Sequence, residues 1–312
     1  MDSQYFLLHY PRLMEQYISN GRPSEDTKRS YISAVRLYLN WCDSIGTDPL
    51  SVTEQHIIYY RGVLVGQNAK PSTIKFKLSA IRRFYYVAVK YDLIKENPAV
   101  DVHAQRDPNA YLPIIKYLTL KQLQSLFDAI QYDDPLKEAR AKAMIALMAV
   151  EGLRTVEVHR LNVEDINVLS KQLIILIRGK GHNDLIYPSK FTSDLLRAYL
   201  NKRPTPTTAL HELTPVFISR GNRGQHRRLS RRGIRREIDE ALVLIQAKAP
   251  GISCHMLRHT CGTLLYAQTK DIQAVKETLR HKNIEMTSKY SHVQDLALKR
   301  YTEAIPIKQK EK

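Results

Sequence analysis

Cysteine is scarce in this chain of 312 residues. Cys42, Cys254 and Cys261 are far apart or share one apparent helix, without zinc-ligand spacing, so a disulfide framework and a structural zinc site are both excluded. Long apolar runs are missing too, and none approaches the roughly 20 residues that cross a bilayer. The opening Met1-Asp2-Ser3-Gln4 has neither a basic region nor a following apolar block, so no secretory signal is expected. No internal repeat and no low-complexity segment is visible. These absences predict a soluble, reduced, cytoplasmic protein without membrane association, and the length suits two domains.

Acidic residues are also in short supply. Asp and Glu number 31 against 48 Lys and Arg, a net charge of +17 with a sequence pI near 9.7. Such an excess attracts polyanions, of which nucleic acid is the commonest inside a cell. In a prokaryotic host the chain would then associate with the nucleoid. Charge alone says nothing about chemistry.

The first hundred residues carry helical periodicity. Ser24 and Thr27 offer caps before a segment in which Tyr31, Val35, Leu39 and Trp41 recur. Thr53 opens a second helix with Ile57, Ile58 and Val63, and Pro71 a third through Ile74, Leu78, Ile81 and Tyr85 to about Asp92. That third helix also bears Lys75, Lys77, Arg82, Arg83 and Lys90. Basic residues alternating with apolar ones suit a helix packed on one side and facing phosphates on the other, although each could equally sit on a plain solvated face. Between residues 99 and 116 periodicity is lost among prolines, which reads as an interdomain linker between a domain at 1–98 and a larger one at 117–312.

In the second domain, Thr119 caps a helix through Ile130, and a helix from Ala139 to Val150 stops at Gly152. Gln172 to Ile177 and Leu185 to Tyr187 read as strands of a hairpin turning at Gly179-Lys180-Gly181. Helices dominate again from about Thr192. Residues 220 to 236 form the densest basic run, containing Arg220, Arg223, Arg227, Arg228, Arg231, Arg232, Arg235 and Arg236. Like charges this crowded repel unless an anion is near, and arginine favours bidentate phosphate or guanine contacts. Leu229, Ile234 and Ile238 give the run a helical apolar stripe, so a DNA-facing helix is expected.

Five short segments carry the chemistry: Gly152-Leu153-Arg154-Thr155-Val156-Glu157, Lys180 at the hairpin tip, His255-Met256-Leu257-Arg258-His259-Thr260, Leu279-Arg280-His281, and Thr287-Ser288-Lys289-Tyr290-Ser291-His292. With Ser253 as N-cap, His255, Arg258 and Gly262 share one face of a helix running toward Leu265. Leu257, Cys261 and Leu264 fall on the other, buried face. Imidazole and guanidinium are thus expected on the face opposite the core. Taken singly each segment is weak, since such a His–Arg pair is usually a cap and a surface ion pair.

Their order is far more specific. Arg, Lys on a hairpin, His-x-x-Arg, His, then Tyr closely resembles the signature of the tyrosine site-specific recombinases, the phage integrase, Xer and Cre type. The flanking residues agree, including the ending His281-x-x-Ile284-x-x-Thr287-x-x-Tyr290-x-His292. One departure is Arg280, where the family usually has glycine. The resemblance covers nearly the whole chain and implies a mainly α fold, with an N-terminal helical core-binding (SAM-like) domain and an α-rich catalytic domain holding a small β-hairpin or sheet. It implies the simple two-domain form, without the arm-binding domain of some phage integrases.

By that resemblance Tyr290 attacks the scissile phosphate, giving a 3′-phosphotyrosine and a free 5′-hydroxyl that passes through a four-way junction to new partners. Arg154 and Arg258 would meet the charge developing on the phosphate. A phenol with an ordinary pKa near 10 is about one part in a thousand ionised at pH 7, so a base is needed, and His255 is expected to take the proton. The resemblance assigns the leaving-group proton to Lys180, a phosphate hydrogen bond to His281 and an orienting role to Glu157. The DNA-binding residues are taken as Lys75, Lys77, Arg82, Arg83, Arg227, Arg228, Arg231, Arg232 and Arg235. No acidic trio, P-loop or His-Glu-x-x-His motif is present, so neither metal, ATP nor any other cofactor is expected.

The implied partners are double-stranded DNA with an inverted-repeat core site, clamped between the two domains, and other copies of the chain. A homotetramer on two sites, a dimer on each, is expected, with Val293, Leu296, Leu298 and Tyr301 in an exchanged C-terminal helix and with accessory DNA-bending proteins as further partners. The task would be integration and excision, or resolution of mobile elements or replicon dimers. A type IB topoisomerase that relaxes DNA as a monomer, a non-catalytic DNA-binding relative and a basic RNA binder are the rival readings.

Overall fold

The computed structural model describes residues 2–105, 115–169, 172–179, 183–207, 212–220, 226–249, 252–281, 287 and 290. The chain forms two compact units, residues 1–112 and 113–312.

The first unit is built from four helices: α1 (Ser3–Glu15), α2 (Glu25–Ser44), α3 (Glu54–Gly66) and α4 (Pro71–Lys90). Ser24 caps α2 by accepting from Thr27 N, and Pro71 opens α4, where its missing N–H costs nothing. Phe6, Tyr10, Met14, Val35, Tyr38, Ile57, Leu64, Leu78, Ile81 and Phe84 form the core. Helix α1 lies in the stretch read as helical but is not among the three helices delimited from the sequence. Its apolar residues recur every fourth position, but Pro11 lies inside it, and a proline in a helix interior usually ends one.

Arg82 of α4 ties down the start of the expected linker. Arg82 donates from Nε to the Ala99 carbonyl at 3.0 Å and from Nη2 to the Val102 carbonyl at 3.0 Å. Ala99 and Val102 are buried in the first unit, and Arg61 reaches the His103 carbonyl at 3.0 Å. Residues 99–103 therefore pack as part of the first unit, because Arg82 and Arg61 satisfy carbonyls that a free linker would give to water.

The second unit contains α5 (Leu120–Ala129), α6 (Pro135–Ala149), α7 (Thr155–Arg160), strands β1 (Ile166–Leu169), β2 (Gln172–Arg178) and β3 (Asn183–Ile186), then α8 (Lys190–Lys202), α9 (Arg231–Leu244), α10 (His255–Thr269) and α11 (Ile272–Leu279). Thr119 and Gln122 form the capping box of α5. Asp134 caps α6 ahead of Pro135, so that helix starts four residues before the expected Ala139. It is the central helix, with buried residues around its whole circumference. The sheet is antiparallel in the order β1-β2-β3, with Ile175 opposite Ile166 and Ile186. Leu173, Ile175 and Ile177 point into the core by the two-residue period of a strand. The hairpin is therefore present, with one more strand, β1, than its turn signal suggests.

A buried ion pair fixes α9 to the centre. Arg140 of α6 donates from Nε and Nη2 to the Glu237 carboxylate at 3.0 and 2.6 Å, and from Nη1 to the Ile218 carbonyl at 2.6 Å. Ser230 caps α9 at Gly233 N, so Arg227 and Arg228 precede the helix. Among the described residues, no helix is long and apolar enough to cross a membrane.

Candidate active site

The site begins where α6 ends. Gly152 turns the chain with φ +67°, and a Cβ there would lie 2.5 Å from Leu279 Cδ2 and 3.2 Å from Cys261 Sγ. Only glycine combines that conformation with that space. Arg154 follows as the N-cap of α7. Glu157, at the third helical position, accepts from Arg154 N and from Arg154 Nη1, both at 2.8 Å. The carboxylate is only 8% exposed. Burial alone would raise its pKa, but Arg280 and Arg154 outweigh it and hold the group below the ordinary glutamate value.

Helix α10 starts at His255, with Ser253 Oγ accepting from His255 N at 3.4 Å. Its two faces differ from the expected pattern. His255 is exposed, but Arg258 is 2% exposed, because α10 packs against both α6 and α11. The guanidinium is satisfied inside: Nη1 donates to the Gly152 carbonyl and Nη2 to the Leu279 carbonyl. Burial, and then Arg154, lower its pKa to about 10, which leaves it charged at neutral pH. The expected outward guanidinium is instead buried, with donors to the turns at Gly152 and Leu279.

Tyr290 sits against the same helix and is 1% exposed. Its ring lies on the bare backbone of Gly262, where a Cβ would come within 2.8 Å of Cζ and 2.9 Å of Cε1. The sequence marks Gly262 as a place of close approach; the tertiary structure makes the approaching group the tyrosine. The hydroxyl is hydrogen-bonded to Nδ1 of His259 at 3.0 Å. The His255 ring packs edge-on against His259, with centroids 4.7 Å apart. His281 stacks on Tyr290 with centroids 6.2 Å apart and is oriented by a 2.9 Å bond from Nδ1 to Thr287 Oγ1. Burial pushes the Tyr290 phenol up to about 12, against the opposing influence of Arg258 and Arg154.

The structure thus brings Arg154, Glu157, Arg258, His281 and Tyr290 together, with His255 one ring further out. Lys180 and the tail after Tyr290, expected as an exchanged helix, lie outside the described residues. Two groups carry no role in the sequence analysis. His259 stands beside Arg258 in the motif, but nothing local tells which histidine of α10 faces the tyrosine. Arg280 occupies a left-handed conformation, φ 52° and ψ 50°, and donates from Nη2 to Glu157 Oε2 at 2.9 Å. Among the described residues, no group of three His, Cys, Asp or Glu side chains could hold a metal.

The basic residues divide into two kinds. Arg82 is engaged with carbonyls, as described. Arg228 likewise donates to the His159 and Leu161 carbonyls at 3.0 and 3.3 Å and to Asn162 Oδ1 at 2.6 Å, tying the segment before α9 to that after α7. Lys75, Arg227, Arg232 and Arg235 are exposed, and Lys77 and Arg231 half-buried; Arg83 lies over the Tyr86 ring. Arg227, Arg232, Arg235, Arg236 and Lys248 border a groove of about 990 Å³ that Asp239 and Glu240 share.

Two arginines, Arg258 and Arg154, lie close enough to Tyr290 to act on its phenol electrostatically, and comparison with known proteins gives the chain's lineage. The phage integrase family matches residues 116–296, and the phage integrase N-terminal SAM-like domain matches residues 12–95. The chain belongs to the phage integrase family: it is a tyrosine recombinase, a site-specific enzyme that cuts and rejoins DNA. It is 33% identical over 232 residues to Tyrosine recombinase XerC of Bacillus licheniformis, covering 73% of each chain. It is 26% identical over 269 residues to Tyrosine recombinase XerC of Oceanobacillus iheyensis, covering 86% of this chain and 85% of that one. The fold is shared with XerH site-specific recombinase bound to palindromic difH substrate in a post-cleavage complex, at TM-score 0.73 and 18% identity, over 88% of this chain and 78% of that one. The expected mainly α fold, with a SAM-like domain and a small antiparallel sheet, is borne out.

Proposed function

We propose that Tyr290 is the nucleophile, that Arg154 and Arg258 receive the scissile phosphate and that His259 takes the phenolic proton. The observation that carries this reading is the 3.0 Å bond between the Tyr290 hydroxyl and His259 Nδ1. With a pKa near 12, a negligible fraction of the phenol is ionised at neutral pH, so attack requires that its proton leave as the bond to phosphorus forms. Nδ1 accepts it in the tautomer that carries hydrogen on Nε2. His255, packed edge-on and exposed, is then the outward end of the relay. The P–O5′ bond breaks as the Tyr290 O–P bond forms, and the departing 5′ oxygen takes its proton from Lys180. The charge gained by the non-bridging oxygens is met by guanidinium groups that keep their protons throughout. His281 adds a hydrogen bond to the phosphate.

Residues 1–98 form the core-binding domain, 99–116 the connection and 117–312 the catalytic domain, with the connection's first residues packed on α4. The DNA would be a duplex with an inverted-repeat core, held through Lys75, Lys77, Arg227, Arg231, Arg232 and Arg235. A dimer would occupy each site and a tetramer two sites, in integration and excision or in resolution, with accessory DNA-bending proteins setting direction. The chain would work in the cytoplasm, at the nucleoid. Incubation with nicked DNA from the region flanking the gene, followed by denaturing electrophoresis, tests the nucleophile. Wild type should form a covalent product that is absent in Tyr290→Phe, with the linkage on the 3′ side. Loss of only one hydroxyl leaves folding and DNA binding intact. A product retained in Tyr290→Phe would refute the assignment, and supercoil relaxation without strand exchange would favour the topoisomerase reading.

A further inference from the structure

We propose that Arg280 is a positioning residue for DNA cleavage, holding Glu157, and through it the Arg154 guanidinium, in the geometry that receives the scissile phosphate. This rests on the assignment of Arg154 and Arg258 to the phosphate.

The position invites glycine, since a residue with φ 52° and ψ 50° carries a steric cost for any side chain with a Cβ. An arginine there needs a compensating use, and its contacts supply one. Its side chain is 7% exposed, and Nη2 donates to Glu157 Oε2 at 2.9 Å. Nη1 donates to the Thr278 carbonyl at 2.9 Å, which fixes the guanidinium plane. Its Nε is buried without a partner among the described residues, a further sign that the side chain is held inward at some cost. The Glu157 carboxylate thus takes three donors: Arg154 N, Arg154 Nη1 and Arg280 Nη2. Without Arg280, Oε2 keeps only a backbone donor, and a carboxylate in so buried a position loses one of its two cations.

The backbone of the same turn serves the other arginine. Leu279, the residue before Arg280, offers the carbonyl that accepts from Arg258 Nη2. Arg280 therefore bears on both arginines indirectly: its side chain orders Arg154 through Glu157, and the residue before it offers the carbonyl that accepts from Arg258. A shift of about an ångström in either guanidinium is enough to slow the chemical step roughly a hundredfold.

The test compares wild type, Arg280→Gly, Arg280→Lys, Glu157→Gln and the double variant Arg280→Gly with Glu157→Gln. Three quantities are read: the single-turnover rate of covalent complex formation on nicked DNA, the Kd for that DNA and the thermal midpoint. Arg280→Gly suits the backbone and should fold, yet cleave roughly ten- to a hundredfold more slowly at unchanged Kd. Arg280→Lys, which keeps the charge on Glu157, should recover much of the rate. The double variant should be no slower than the slower single one, because both changes break the same link. Wild-type rate in Arg280→Gly, or losses that multiply, would overturn the proposal, and a parallel loss of DNA affinity would make Arg280 a direct DNA contact instead. Should Arg280→Gly melt early, Arg280→Asn, also at home in this conformation, replaces it. A rate that falls only in step with the thermal midpoint in both variants refutes positioning. A wild-type chain forming no covalent complex refutes the active-site assignment itself, a different outcome from any of these.

Discussion

Replacing Gly152 with alanine should destabilise the catalytic unit by about 2–5 kcal/mol, and two separate causes make up that figure. The first is backbone conformation: at φ +67° an L-residue with a Cβ costs about 1–2 kcal/mol. The second is space. The new Cβ would stand 2.5 Å from Leu279 Cδ2, against an optimum of about 3.5–4.0 Å, and such overpacking costs about 1–3 kcal/mol. Gly46 isolates the first cause, because it has φ +64° with nothing within 4 Å of the position a Cβ would take. Gly46→Ala should therefore cost only about 1–2 kcal/mol. Urea unfolding of the two variants measures both quantities. In a Leu279→Ala background, Gly152→Ala should fall toward the Gly46 value, since the obstructing methyl is gone and only the 3.2 Å approach to Cys261 Sγ is left. The catalytic consequence follows from the same turn: the Gly152 carbonyl accepts from Arg258, and Arg154 stands two residues on. Covalent complex formation should drop with Gly152→Ala even where the protein is still fully folded. Equal losses at Gly46 and Gly152, or no relief from Leu279→Ala, would refute the packing argument.

The arginines around α9 should separate by measurement. Arg228→Ala removes donors to three carbonyls and Asn162 and should cost about 1–3 kcal/mol of stability in a thermal or urea melt. Arg235→Ala, at an exposed position, should leave the melt unchanged, weaken DNA binding and reduce the salt slope of log Kd by about 1; the reverse pattern would exchange their roles. Ionised Glu157 favours the folded chain because Arg280 and Arg154 hold its pKa below 4.5 despite burial. Its contribution is complete above that value and is lost as pH falls through the lower folded value. The stability gap between wild type and Glu157→Gln in urea melts should therefore close on acidification below pH 4.5, and a gap that widens there would contradict the depressed pKa.

Much of the site is legible before folding because its members are chemically unusual in combination. Arg154, Glu157, Arg258, His281 and Tyr290 stand in an order that resembles one family, and the capping box of α5 and the hairpin strands follow from local residue types. The failures have equally local causes. Pro11 hides α1, and periodicity on α10 marks a face opposite Leu257 without showing that a second neighbouring element covers it, so Arg258 is buried rather than exposed. The arginine run at 220–236 reads as one charged surface, whereas Arg228 spends most of its donors on acceptors more than 60 residues away in sequence.

By itself the sequence determined the class of chemistry, the family and the helical character of both halves, since composition, capping residues and motif order are properties of the chain alone. The tertiary structure decided which histidine meets the Tyr290 hydroxyl, why Gly262 must lack a side chain, and what Arg280 does in a turn that glycine would fill more easily. Those answers depend on groups distant in sequence meeting within hydrogen-bond or van der Waals distance, and such meetings are fixed by how α6, α10 and α11 pack, not by any pattern along one of them.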